Sequence, residues 1–376
     1  MKAKEIMDLQ FFANPNTNVT TQESLSVEMK TYYEKDLLEE AEPNLVHSQF
    51  ADKYPIPAGK GKTIEFRKYD SMPKALTPLT EGVTPDGRSL NVSNLTATVH
   101  QYGDYTTISD VLKMTAIDDN IVQATRLHGS QAGRTIDTLA RDVLAAGTNV
   151  IYAGGRTSRG DLTPSDILTP NLFFKAAAQL KAMNAPMIDG SYVAIIHPYA
   201  AYDVMSDSNW IDWQKYATPD KIFNGEIGKI GNVRFVETTE AKIWNDDSCP
   251  AQSYAKTTDT AVVEGKTYYT RSGSEGAYVY TKVTTPSTSD IASYYEKTAY
   301  GVFGTIVLGA HAYADVELAG GGLQTIVKQL GAGDDPLNQR ATVGWKHMGY
   351  TAKRLIEQYM LRIESMSSYS ATAQAN

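Results

Sequence analysis

Two segments of the chain, KTIEFRKYD (62–70) and LTATVHQYGDYTTIS (95–109), alternate in character with the two-residue period of a β-strand. Ile64, Phe66 and Lys68 fall on one side of the first, and Thr63, Glu65, Arg67 and Tyr69 on the other. In the returning segment Leu95, Ala97 and Val99 alternate with Thr96, Thr98 and His100. Paired strands in a compact domain are joined by about two to five residues. Here the connection contains Pro73 and then ALTPLTEGVTPDG (75–87), which has two prolines, two glycines and no apolar run. Asp86-Gly87 is a turn signal, and the prolines and glycines stop either strand from continuing. The chain is therefore predicted to hold out a long β-ribbon with a polar tip. Such a ribbon buries little of itself, so the fold must be one in which something else covers it.

The rest of the chain surrounds this ribbon with more ordinary elements. Residues 1–24 are rich in Asn, Thr and Gln and are expected to be poorly ordered in isolation. LSVEMKTYYEKDLLEEAE (25–42) has a helical repeat that Pro43 ends, and a second short helix is expected over residues 45–50. Ser109 or Asp110 can cap a short helix after the ribbon. Residues 116–147 form the strongest helical pattern: Ile117, Ile121, Ala124, His128, Ala132, Ile136, Leu139, Val143 and Ala146 recur every three or four positions, and Gly147 stops them. Gly129 and Gly133 weaken the middle by about 1 kcal/mol each relative to Ala, and admit a close neighbour.

After a Gly/Arg/Ser loop over 148–162, an amphipathic helix at 168–185, a strand at 191–198, a helix at YAAYDVMSD and a strand at 230–238 follow. The pattern resumes at 300–318 and closes with strands in QTIVKQL and in 343–366. Residues 250–298 differ: they are rich in Thr, Ser and Tyr and read as a β-insertion with two strands around a Ser/Gly turn, a third strand in SDIASYYEK, and a hydrophobic patch of its own.

The totals exclude several classes. A chain of 376 residues, 42% hydrophobic and 21% charged, can bury a large core without disulfides, and length alone suggests two or three domains or one with insertions. The single cysteine, Cys249, leaves neither an intramolecular disulfide nor a cysteine zinc site. A net charge of −8 and the absence of a Lys/Arg run argue against a grip on nucleic-acid backbone. No apolar stretch reaches the ~20 residues of a membrane span. The opening MKAKEIMDLQFFANPN is broken by Asp8 and Gln10 and reads as an arm, not a secretory signal.

The chemistry-bearing residues form no catalytic set. The six histidines, His47, His100, His128, His197, His311 and His347, have no i, i+4 pair and no HxH. HGSQAG (128–133) is not a nucleophile elbow. GGRTSRG (154–160) lacks the P-loop lysine and reads as a flexible loop, and GAGDDP (331–336), with Asp334 and Asp335, reads as a turn before a cation site. The insertion's tyrosines read first as strand formers, and second as rings that could stack on bases or sugars. No catalytic residue, cofactor site or metal site is assigned.

The order of parts resembles the major capsid proteins of tailed bacteriophages, the Hong Kong 97-type fold. The residues that carry the likeness are TIEFRKY (63–69), ALTPLTEGVTPDG (75–87), QYGDYTTISD (101–110), GSQAGRTIDTLARDVLAAGTNV (129–150) and GTIVLGAHAY (304–313), with LQFFA (9–13) similar to the start of many phage head proteins. They are similar to one family common in prophages of Gram-positive bacteria. The likeness spans about residues 9–249 and 299–366.

The resemblance implies an α+β chain with an N-terminal arm and helix over 1–57, an extended loop over 58–107, a spine helix and peripheral domain over 108–159, and an axial domain over 160–249. The β-insertion domain over 250–298 departs from the family core and is expected to decorate the outside. An axial return over 299–318 and a peripheral return over 319–376 complete the chain. The function implied is self-assembly into the hexamers and pentamers of an icosahedral head shell, enclosing double-stranded DNA without sequence-specific binding and away from any membrane. Portal, scaffolding and decoration proteins are the implied partners. A separate scaffold is expected because no long helical extension stands at the N-terminus.

On the ribbon, Lys62, Glu65, Arg67, Lys68, Glu81, Asp86 and Arg88 offer both signs of charge and are the candidate inter-subunit contacts, each of which reads equally well as a solvated side chain. An encapsulin-like nanocompartment shares the fold and remains the alternative. An enzyme lacks its catalytic set, and a phage surface or adhesin protein has only the tyrosine-rich module in its favour.

Overall fold

In the computed structural model the described residues are 46–376, apart from 70, 80, 85, 116–119, 208–227, 275–276, 332–334, 336 and 371. The expected arm and helix over 1–45 lie outside them. Residues 47–50, expected as a short helix, form a turn instead. The described chain divides into two compact units. The first draws on residues 53–137 and 315–351, the second on 46–52, 138–314 and 352–376.

In the first unit the ribbon pairs Thr63–Tyr69 with Val92–Thr98 in unbroken antiparallel register, from Thr63 opposite Thr98 to Tyr69 opposite Val92. Ile64, Phe66, Leu95 and Ala97 share one face, and Tyr54 meets Phe66 edge-on at 5.1 Å between ring centroids. The return is not one strand, as its alternation suggested. It breaks at Val99, and His100–Ser109 leaves the ribbon to pair with Arg340–Arg354. This pairing belongs to a five-stranded sheet that also holds Asp52–Ile56, Tyr313–Leu318 and Leu323–Lys328. The break lets one continuous segment serve two sheets: Val99 is buried, and its N–H donates to the Lys62 carbonyl at 2.9 Å.

A short helix, Asp110–Thr115, follows, and Ser109 Oγ caps it by accepting the Leu112 N–H. The long helix is Asn120–Ala145. Its first part packs on the sheet through Ile121 against Ile108, Val327 and Val343, and through Ala132 against Trp345. Gly129 and Gly133 are both buried on the packed side. The buried stripe then departs from the apolar one. Ala140, Arg141, Leu144 and Ala145 are buried, whereas Ala146 is exposed and Leu139 and Val143 are half-buried.

The second unit is built on a mixed seven-stranded sheet in the order Val150–Tyr152, Met360–Ser365, Val302–Leu308, Tyr192–Ile196, Val233–Glu237, Lys229–Ile230, with Ile243–Trp244 also pairing to Val302–Leu308. Helix Pro170–Ala182 buries Leu172, Phe173, Ala176, Ala177 and Leu180 in its core, where Phe173 meets Phe235 edge-on at 4.7 Å. Helix Pro198–Ser206 buries Ala200, Ala201 and Val204. Residue 304 must be glycine for packing reasons: a Cβ there would lie 2.5 Å from the Trp244 ring. Residues 319–376 do not return together to one domain, as expected. Arg340–Arg354 closes the five-stranded sheet, while Met360–Ser365 pairs with Val302–Leu308 in the seven-stranded one.

The loop around GGRTSRG is firmly held, contrary to expectation. Arg156 Nε donates to Asp166 Oδ2 at 2.8 Å, and Arg159 grips the fully buried Glu364 with two nitrogens at 2.7 and 2.8 Å. Arg362 lies 2.8 Å from the same carboxylate, and the Arg159 guanidinium stacks 4.0 Å above Trp244.

The insertion forms its own four-stranded sheet, ordered Ala251–Lys256, Tyr295–Ala299, Tyr269–Ser272, Val279–Lys282. The expected third strand in SDIASYYEK begins only at Tyr295, after a 3₁₀ turn over Thr288–Ser293. The hydrophobic patch is there: Tyr268, Ile291 and Tyr294 pack with Val262 and Val283.

Candidate inter-subunit surface

The strand register sets out the candidate charges. Glu65 and Arg67 stand on the ribbon face opposite Ile64 and Phe66, and Lys68 stands on the same face as those two. Lys62 precedes the first strand, while Glu81, Asp86 and Arg88 lie in the tip, where Gly82 takes a left-handed φ of 78°. All seven are exposed, and among the described residues none has an ion-pair partner. The fold thus brings Glu65 and Arg67 together on one face but does not gather the seven into one cluster.

The charges are not the whole of this surface. Tyr69, Met72, Leu76, Leu79, Val83, Leu90 and Val92 are all exposed, Leu76 at 82% and Leu79 at 77%. Single exposed apolar residues are ordinary; seven along one ribbon and its tip make this the surface to account for. No strand or helix period marks them in the sequence, where they are scattered between prolines and glycines. Nearby in the chain, the short helix Asp110–Thr115 also exposes Val111, Leu112 and, at 89%, Met114.

The outer face of the five-stranded sheet in the same unit holds a groove of about 690 Å³. Small residues floor it: Gly103, Thr107, Thr342 and Gly344. Tyr105, 70% exposed, and Ile326 give it apolar walls, and Lys328, Arg340 and Lys346 make it cationic despite Asp335. On the helix side of that sheet a polar network fixes the strands. His128 bonds Thr106 and Gln131, and Gln131 donates to Asp104 and accepts from the Trp345 indole N–H. The Gln131 bond, followed by the Tyr105 N–H, holds the Asp104 carboxyl below the usual range. Within HGSQAG, His128 bonds Gln131, and it ties the helix to Thr106 of the sheet.

Two further groups of this unit are buried out of water. Asp315 accepts a hydrogen bond from Tyr350 Oη at 3.0 Å, yet its desolvation pushes its pKa up to about 7. His347 is buried as well, and desolvation holds its pKa down. Among the described residues no cluster of His, Cys, Asp and Glu is arranged to hold a metal ion, and no described helix is long and apolar enough to cross a membrane. Asp334 lies outside the described residues, and Asp335 Oδ2 closes a turn by accepting the Arg340 N–H.

Three solved structures share this fold at low sequence identity. The capsid of cyanophage P-SCSP1u is 15% identical with a TM-score of 0.53, over 85% of this chain and 87% of that chain. The capsid of Ralstonia phage GP4 is 13% identical with a TM-score of 0.52, over 85% and 86%. The capsid subunit of cyanophage Pam1 is 11% identical with a TM-score of 0.53, over 88% and 94%. The shared fold is the Hong Kong 97-type capsid fold. A comparison with curated proteins finds no match. The sequence pattern of the phage capsid proteins matches residues 93–354, from the return strand of the ribbon to the end of the long strand Arg340–Arg354. The chain belongs to the phage capsid protein family.

Proposed function

We propose that the chain is the major capsid protein of a tailed phage, and that its copies join through the ribbon into the hexamers and pentamers of an icosahedral head shell around double-stranded DNA. Its place is the virion and its work is structural. One observation carries the role of the ribbon: seven large apolar side chains along it and its tip are exposed to water in the single chain. Burying one such side chain is worth about 1.5–3 kcal/mol, so covering even part of the row stabilises an assembly that repeats the contact many times. The groove on the five-stranded sheet is the surface best suited to receive a neighbour's tip. Its Tyr105 and Ile326 match the tip's apolar residues, and Lys328, Arg340 and Lys346 match Glu81 and Asp86.

Lys62, Glu65, Arg67, Lys68 and Arg88 orient that contact from the ribbon and its tip. Residues 58–99 supply the extended loop of the shell, shorter than the 58–107 expected because His100–Ser109 belongs to the five-stranded sheet, the long helix its spine, and residues 250–298 an outward module. Portal, scaffolding and decoration proteins are the further partners of this role.

Replacing residues 72–92 by a two-residue Asn-Gly turn tests the reading. The variant is expected to keep its circular dichroism and cooperative melt but to form no shells in negative-stain micrographs; normal shells would refute it. What purified wild-type shells enclose, DNA or a protein cargo, separates a phage head from an encapsulin-like compartment.

A further inference from the structure

The insertion sheet has two unlike faces. One carries its small core, Tyr268, Ile291 and Tyr294. Strand register assigns the other. Tyr254 pairs with Lys297, Lys256 and Tyr269 both pair with Tyr295, and Arg271 pairs with Tyr280, so all of these share the second face. No aliphatic side chain stands among them. Tyr254 and Tyr280 stack in parallel at 3.9 Å, and Tyr269 and Tyr295 close on that pair edge-on at 5.3 and 5.4 Å. Arg271, itself exposed, lies with its guanidinium carbon 4.3 Å from the Tyr278 ring and 4.9 Å from that of Tyr295. Tyr278 is exposed, and Tyr254, Tyr280 and Tyr295 are half-buried.

We propose that this face is a binding site for a saccharide carrying a carboxylate. Two aromatic rings fix the plane of the Arg271 guanidinium, so its N–H fork is oriented before a ligand arrives and matches a carboxylate in two-point contact. Among the described residues no acid pairs with Arg271. Lys256 adds positive charge, and the face's carboxylate neighbour, Asp247, is already engaged by Lys282 at 2.5 Å and by the Tyr269 hydroxyl at 2.9 Å. The exposed Tyr278 and the outward edges of the half-buried Tyr254, Tyr280 and Tyr295 offer ring carbon and hydroxyls to a sugar, whereas the Tyr269 hydroxyl is held by Asp247.

Titration calorimetry of the full chain tests the site with trigalacturonate, neutral maltotriose and a short polyglutamate. Trigalacturonate is expected to bind more tightly than either of the others. Arg271→Lys keeps the charge but loses the planar fork, and is expected to weaken trigalacturonate binding about tenfold. Lys256→Gln, on the same face, is expected to weaken it about twofold. Absence of trigalacturonate binding at millimolar concentration would overturn the proposal. So would unchanged binding by Arg271→Lys, or polyglutamate binding as tight as trigalacturonate, which would point to an acidic protein partner instead.

Discussion

Asp315 shows how a single buried group sets a condition on the whole unit. Its side chain is almost completely buried, and desolvation raises its pKa to about 7, against an unfolded value of 3.8. Tyr350 and the more distant charge of Lys53 pull it down; Glu317 and Asp137 add to the rise. A raised folded-state pKa means that the folded protein keeps a proton which the unfolded chain gives up. The stabilisation is fully present below the unfolded pKa and is lost as pH rises through about 7. Asp315→Asn removes this dependence while keeping an acceptor for Tyr350. The variant is expected to melt close to wild type near about pH 4 and several degrees higher near about pH 8. Equal melting temperatures at the higher pH would show that Asp315 does not carry the burial cost.

Gly304 makes the opposite kind of demand. Gly304→Ala drives a methyl group into the Trp244 ring and is expected to cost about 1–3 kcal/mol in denaturant unfolding. Neither role is legible from one sequence: each depends on partners in other segments of the chain. The exposure of Glu65 and Arg67 was legible, because charge in a strand at known parity needs no tertiary knowledge. The apolar tip was not, because its residues follow no period.

At the scale of elements, periodicity was a good guide wherever one face meets apolar neighbours. The alternation read in 63–69 and in Leu95–Thr98 is the register observed, although the return strand starts earlier, at Val92, and the long helix begins on the predicted stripe with Ile121, His128, Ala132 and Ile136. It leaves that stripe where polar residues are buried by hydrogen bonds. Arg141, 1% exposed, donates to the carbonyls of Glu240 and Asn376 at 3.0 Å each, and no hydrophobic pattern anticipates a buried arginine. The division of 95–109 at Val99 was hidden for a related reason: both halves alternate alike, and only long-range pairing distinguishes them. The arginine loop of 154–160 read as flexible because its anchors, Asp166 and Glu364, stand elsewhere in the chain. Glu364 binds that loop to strand Met360–Ser365. Glu364→Ala leaves the buried Arg362 and the half-buried Arg159 without their shared counter-charge, and is expected to cost about 3–5 kcal/mol of stability. Urea unfolding checks it, and a loss below about 1 kcal/mol would place the pair among surface bridges.

The whole molecule makes sense as one member of a repeating set. Each unit has a buried apolar core among the described residues, yet the ribbon tip keeps Leu76, Leu79 and Val83 exposed. A monomer gains nothing from that arrangement; a shell gains the same contact at every symmetry-related position. The triple substitution Leu76→Ser, Leu79→Ser, Val83→Ser separates the two. It removes little intramolecular packing, so the melting temperature of the dispersed subunit should stay within about 2 °C of wild type. Each lost contact costs the assembly about 1.5–3 kcal/mol per copy if the neighbour buries it fully. The protein concentration at which shells appear in light scattering should therefore rise by at least about a hundredfold. If the triple variant assembles at the wild-type threshold, the tip is a solvated ornament and copies join through some other surface.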